Sequence, residues 1–376
     1  MDFGLNEQQQ MLKKAANDFL EKECPKTVVR ELEEDEKGYS PELWRKMAEL
    51  GWLGLVFPED YDGMGGDFQD LVIILEEMGK ALLPAPFLPT VVCGGLPILD
   101  IGSEEQKREF LPRIANGELI LAFALTEPSA SILPSGVTLK AVAQGDEYVL
   151  SGTKLFVTYA HIADYLLCAA RTIDGNDEDG ITLFLVDCKS KGLSYTLLKT
   201  IGSDKQCEVD FQNVKVTRKN ILGEADKGWP VIKNILDQAA IAESALMLGG
   251  GEQVLEMTIA HATERIQFGQ PIGSFQSIQH KCADMSIDVE GARYTTYLAA
   301  SRLSKGLPYS LEASMAKAWT SDAYQRICCH GQQIHGGVGL ITDHDVQLYF
   351  RRSRVSEQAF GDAVFHREEV AQKMGL

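Results

Sequence analysis

The amino-acid sequence predicts an α+β multidomain protein in which helical segments flank a middle antiparallel β region. Three observations predict it. Apolar residues recur at three- and four-residue spacing toward both ends of the chain. Between them the period drops to two, in short runs separated by glycine, aspartate and asparagine. The chain has 376 residues, 45% apolar and 24% charged, which suits two or three globular domains rather than one. The change of texture sets the expected boundaries: a helical domain over 1–121, a β domain over 122–228 and a helical domain over 229–376.

The elements follow in order. Leu12, Ala15, Ala16, Phe19 and Leu20 form one face of a first helix. Ser40 followed by Pro41 reads as an N-cap and first turn. A further helix is expected over 67–83, after the loop Tyr61-Asp62-Gly63-Met64-Gly65-Gly66. Residues 137–142 and 148–150, joined through Gly145-Asp146, read as a hairpin. More strands are expected over 165–170, 181–186, 193–198 and 208–216. From Trp229 one long amphipathic helix runs to near Arg265. Others are expected over 276–305 and 311–335, with a last one after Asp343.

Composition narrows the function. The formal charge is −18, which repels phosphate backbones, so nucleic-acid binding is not expected. Eight cysteines are scattered through apolar stretches without a CxxC pair, a pattern that fits reduced thiols in a cytoplasmic protein. Met1 to Lys14 lacks an apolar core after a basic start, so no signal peptide is read there. No uncharged apolar run approaches the ~20 residues of a membrane span. GxSxG, Walker A, HExxH and a GxGxxG between strand and helix are all absent. His330 and His335 have no matching carboxylate or thiolate set, so they read as structural and no metal is expected.

An ordered set of segments carries more information. These are Phe123-Ala124-Leu125-Thr126-Glu127-Pro128, Lys154-Leu155-Phe156-Val157-Thr158, 210–216, 264–272, Phe275-Gln276 and 332–339. In this order and spacing the chain resembles the acyl-CoA dehydrogenase family, over essentially its whole length. The resemblance implies a helical N-terminal domain, a middle antiparallel β domain and a C-terminal four-helix bundle. It also implies bound FAD, an acyl-CoA thioester substrate, an electron-transfer flavoprotein as partner and a tetramer. Phe123, Leu125 and Thr126 match the strand along the flavin, and Phe156 and Thr158 match a wall and a hydroxyl near flavin N5. Arg265, Gln267, Phe268 and Gln276 match diphosphate and adenine contacts, and Gln333 and Gly337 match contacts made across a subunit interface. An arginine fork suits a diphosphate, and a threonine hydroxyl can donate to a ring nitrogen.

The sequence departs from the family where proton chemistry is expected. The resemblance implies a carboxylate that takes the α-proton of the thioester. The usual position of that glutamate is Phe360, beside Gly361, and the position used by a second branch is Ala239. Neither side chain accepts a proton. Glu243, one turn after Ala239, and Asp362 are the carboxylates that stand in as candidate bases. Each also has a plain structural reading, as a buried glutamate bonded to a neighbour and as a helix cap. Ser131, Phe360 and Gly361 are the expected substrate contacts.

The leading reading is FAD-dependent dehydrogenation of a bulky or cyclic acyl-CoA. The alternatives are a base-less, non-catalytic subunit of a heterotetramer rather than a homotetramer, and an enzyme of the same fold with unusual elimination regiochemistry.

Overall fold

The computed structural model describes residues 5–376. The N-terminal reading of no signal peptide begins at Met1, and residues 1–4 lie outside the described residues. In chain order the elements are α1 (Glu7–Glu23), α2 (Lys26–Glu34), α3 (Pro41–Glu49), α4 (Phe68–Ala81), a π-helix (Leu88–Gly95), α5 (Leu96–Ile101) and α6 (Glu104–Ala115). The strands β1 (Leu121–Ala124), β2 (Lys140–Gln144), β3 (Glu147–Thr158), β4 (Tyr165–Arg171), β5 (Ile181–Asp187), β6 (Leu193–Leu198), β7 (Gln206–Thr217) and β8 (Ile221–Leu222) follow. After them come α7 (Trp229–Glu264), β9 (Ile266–Gln267), β10 (Gln270–Pro271), α8 (Gln276–Ser304), α9 (Ser310–His335), α10 (Val346–Gln358) and α11 (Ala363–Lys373). This is the predicted succession of N-terminal helices, middle β domain and C-terminal helical bundle.

Contacts divide the described residues into two compact units: 5–31, 67–83 and 240–376 form one, and 32–66 with 84–239 form the other. In the first unit the apolar stripe of α4 is covered on all sides, with Leu71, Ile73, Ile74 and Leu75 buried. Two glycines let α4 and α7 approach closely. A Cβ at Gly79 would lie 2.0 Å from the Leu246 carbonyl oxygen, and one at Gly249 would lie 1.8 Å from that of Glu76. Glu76, fully buried in α4, accepts hydrogen bonds from Lys13 (3.0 Å), Arg293 (2.6 Å) and Tyr297 (2.5 Å). One carboxylate thereby ties α1 and α8 to α4.

The second unit holds the sheet, in the order β6-β7-β3-β2-β4-β5-β8, with β1 beside β4. The predicted hairpin is present, with Gln144 opposite Glu147 across Gly145 in a left-handed conformation. The sheet is mixed rather than purely antiparallel: β1 and β2 both run parallel to β4. The strand β1 is the first after the N-terminal helices, and such a long connection permits a parallel entry that no hairpin does. Leu150, Leu166, Phe184, Val186, Val209 and Phe211 fill its core.

Local chemistry explains the element ends. The Ser40 hydroxyl accepts from the Leu43 amide at 3.2 Å, as its position before Pro41 predicts. The Asp67 carboxylate caps α4 by accepting from the Asp70 amide at 3.1 Å, and the Asp67 amide donates in turn to the Asp70 carboxylate at 3.2 Å. The π-helix over Leu88–Gly95 and the short α5 were not legible as separate elements. The stretch is apolar throughout, so it shows no helical period.

Candidate active site

In the sheet unit the candidate flavin residues cluster around one strand crossing. Phe123 lies in β1, and Leu125 and Thr126 leave it. Phe156 and Thr158 end β3, and the Leu155 amide donates to the Thr126 carbonyl at 2.8 Å. Thus the structure brings these five residues together. Phe156 is half exposed and adopts φ 57°, an uncommon conformation for a bulky side chain. The Thr158 hydroxyl makes no hydrogen bond to the chain among the described residues, which leaves its donor available.

A buried ion pair holds this crossing. The Lys154 side chain is fully buried, and its Nζ donates to the Leu125 carbonyl at 3.0 Å and to Glu127 Oε1 at 2.7 Å. Glu127 also accepts from the Thr138 hydroxyl and from the amides of Thr138 (2.9 Å) and Leu139 (3.0 Å). Burial pushes the Glu127 carboxyl up, but the Lys154 ammonium and these donors outweigh it and hold it below its ordinary value. Arg171 secures the far end of the loop through the carbonyls of Val137 (3.1 Å) and Pro134 (2.6 Å). Ser131 sits between these anchors, with its hydroxyl accepting from the Leu133 amide at 3.2 Å. The Lys154 and Glu127 motifs were quoted from the sequence, but their pairing across 27 residues was not foreseen.

In the helical unit the second set lies around the end of α7. Arg265 closes that helix, Gln267 and Phe268 form the β9–β10 hairpin, and Gln276 opens α8. All four are exposed, and Phe268 is 93% exposed with φ 52°. The Arg265 guanidinium makes no ion pair among the described residues. Gln333 and Gly337 flank the end of α9, and a Cβ at Gly337 would meet nothing within 4 Å. Lys281 hydrogen-bonds the Gln333 side chain. An unpaired guanidinium, exposed amides and an uncovered aromatic ring are the donor set that a dinucleotide needs, so the residues present fit FAD.

The third set is the turn after α10. Phe360 has φ 57° and Gly361 φ 99°. The fully buried Lys317 of α9 donates to the carbonyls of Glu357 and Gly361, each at 2.9 Å, and to Ser321 Oγ at 3.0 Å. Burial lowers its ammonium to about 8, against the favourable charges of Glu243, Glu357 and Asp362. His366 of α11, also buried, places Nε2 3.0 Å from the Phe360 carbonyl. Burial and then the Lys317 charge lower its imidazole to about 3, so it is neutral, and its Nδ1 has no partner. With the carbonyl as acceptor, the ring proton resides on Nε2.

Glu243 is buried in α7, near enough to Lys317 for the two charges to interact. The Asp362 carboxylate accepts from the Phe365 amide at 2.7 Å and caps α11. Sequence reasoning missed Lys317. The available signal was a lysine on the helix stripe Ala313, Ala316, Thr320 and Tyr324, where the neighbours are buried.

Comparison with known proteins gives the class, a flavin-dependent oxidoreductase that acts on CH–CH groups. Residues 6–118, 122–214 and 226–375 match the N-terminal, middle and C-terminal domains of acyl-CoA dehydrogenase, and the chain belongs to that family, whose members depend on FAD. It is 36% identical to the caffeyl-CoA reductase–Etf complex subunit CarC of Acetobacterium woodii, over 93% of each chain. The butyryl-CoA dehydrogenase structure from Megasphaera elsdenii matches with a TM-score of 0.93 at 33% identity, over 100% of both chains. The ChsE4–ChsE5 complex from Mycobacterium tuberculosis matches with 0.91 at 30% identity, over 100% of this chain and 99% of that one. Among the described residues no helix is long and apolar enough to cross a membrane.

Proposed function

We propose that this protein oxidises the Cα–Cβ bond of a bulky or cyclic acyl-CoA thioester and passes the electrons to an electron-transfer flavoprotein. The observation that carries this reading is the pair of open, donor-bearing sets: Thr158 beside Phe156 in one unit, Arg265 with Phe268 in the other. The relative named as a reductase–Etf complex subunit supports the partner. Cytoplasmic location is inferred from the eight free thiols.

FAD, when bound, supplies the hydride acceptor. Arg265, Gln267, Phe268 and Gln276 would hold a diphosphate and adenine, and Phe123, Leu125, Thr126, Phe156 and Thr158 would hold a flavin ring. Gln333 and Gly337 would reach a neighbouring subunit's cofactor in a tetramer. Ser131, Phe360 and Gly361 would contact the thioester. The α-proton needs a carboxylate, and Glu243 is the one we assign, since Asp362 is engaged in capping α11.

A second reading has its own support. Phe360 cannot take a proton, and Glu243 lies under the influence of the Lys317 charge. That arrangement suits a base-less subunit in a heterotetramer, and the match to a two-component complex agrees with it.

One experiment separates the two readings. The purified protein, loaded with FAD, is mixed with acyl-CoA thioesters and followed by flavin absorbance. Bleaching by the lone protein, lost in Glu243→Gln with FAD still bound, supports the catalytic reading. Bleaching unchanged in Glu243→Gln removes Glu243 as the base. Binding without bleaching supports the subunit reading, and failure to retain FAD defeats both.

A further inference from the structure

Phe360 is held in a backbone conformation that disfavours it. A phenylalanine at φ 57° is strained by its Cβ, and glycine would occupy the position without strain. Strain of this kind persists only where the surroundings over-determine it, and it concentrates at working sites. The surroundings do so here. Three carbonyls of the turn are gripped by buried side chains: those of Glu357 and Gly361 by Lys317, and that of Phe360 by His366. A Cβ at Gly361 would come within 2.5 Å of the Phe365 ring, so the next residue has no side-chain freedom either.

The same signature occurs at two other phenylalanines, Phe156 (φ 57°) and Phe268 (φ 52°). Both belong to the sets assigned to the cofactor above. Positive φ also occurs at seven other non-glycine residues, among them Leu82 and Tyr159, so what distinguishes Phe360 is the grip on its turn by two buried side chains. Neither Lys317 nor His366 is on the surface, so neither is explained by solubility, and both act on main-chain atoms of this turn.

We propose that Lys317 and His366 are positioning residues that lock the 357–361 turn, so that the ring of Phe360 determines which acyl groups the site accepts. This rests on the acyl-CoA reading above and goes beyond it by naming the selecting side chain and what aims it. The ring occupies volume without offering a charge or a proton acceptor, so it selects by shape.

The test uses the FAD-loaded protein and two probes, butyryl-CoA and cyclohexanecarbonyl-CoA, with affinities read from the change in flavin absorbance. In Phe360→Gly the ratio of the two affinities is expected to move at least tenfold, while the thermal midpoint stays level or rises because the strain is gone. Lys317→Met and His366→Leu are expected to move the ratio in the same direction. His366→Gln, which keeps a donor for the Phe360 carbonyl, is expected to retain the wild-type ratio.

A Phe360→Gly ratio within twofold of wild type overturns the proposal. So does an unchanged ratio in folded His366→Leu, which settles the matter even if Lys317→Met does not fold. Failure of the acyl-CoA reading shows instead in the wild type, as no spectral response to either thioester, and the inference falls with it.

Discussion

Two fully buried lysines anchor the two candidate loops, and they do so differently. Lys154 in the sheet unit reaches a carboxylate, Glu127, at 2.7 Å and spends a further bond on the Leu125 carbonyl. Lys317 in the helical unit gives three hydrogen bonds to neutral oxygens, two carbonyls and a hydroxyl. The first is a charge pair in a dry setting, stable only while both partners are present. The second is an ammonium solvated by dipoles, and burial has already drawn its proton affinity down to about 8. Buried charge can therefore fix a loop with or without an ionic partner, but the penalty for removing it should differ sharply.

The largest expected effect breaks the first anchor. Lys154→Met leaves the Glu127 carboxylate buried without its cation, and unfolding free energy is expected to fall by about 4 kcal/mol. Urea unfolding measures it. A loss under about 1 kcal/mol would mean that water or a shifted backbone replaces the ammonium.

Acid is the next lever, and it acts on the helical unit. The His366 imidazole sits near 3 in the fold against 6.5 for the free side chain. Between those values the unfolded chain binds a proton that the folded chain refuses, so stability falls as pH falls. From pH 6.5 to 5 this group contributes a loss of about 2 kcal/mol. His335 and His261, also held low first by burial, act in the same direction. Glu76 and Glu127, whose carboxyls are held below their ordinary value of 4.5, join only at lower pH. His366→Gln should flatten the slope of unfolding free energy between pH 6.5 and 5, and an unaltered slope would contradict the buried neutral imidazole.

The smallest effect sharpens the contrast between the lysines. Lys317→Met loses three hydrogen bonds but also removes an ammonium that the fold disfavours by about 3 kcal/mol, given a fall from 10.5 to about 8. The net change in unfolding free energy at pH 7 is expected to be about 1 kcal/mol or less. Wild type should also gain stability as pH rises from 8 toward 10, where the unfolded chain still holds the lysine proton, and the variant should lack that gain. A loss in Lys317→Met as large as in Lys154→Met would show that an ionic partner holds Lys317 as well.

Legibility varied with the range of the interaction. Ser40 before Pro41, and Gly145 between two alternating runs, state their roles within a few residues, and the structure agrees. The mixed character of the sheet was not legible, because the partner of each β1 residue lies 44 residues further on in β4 and nothing local names it. The candidate site was partly legible. The residues proposed to face the flavin and the dinucleotide were named from an ordered set of short segments, while Lys317 passed unnoticed in the middle of a helix.

The sequence by itself determined the order of helices and strands, the absence of a carboxylate at position 360 and the family to which the chain belongs, because periodicity, capping and ordered motifs are local or collinear properties. Only the tertiary structure decided that Lys154 and Lys317 are buried, that His366 is neutral and that Phe360 is held against its backbone preference. Burial removes water from a charge, and which charges lose their water depends on neighbours that the chain brings back from far along its length.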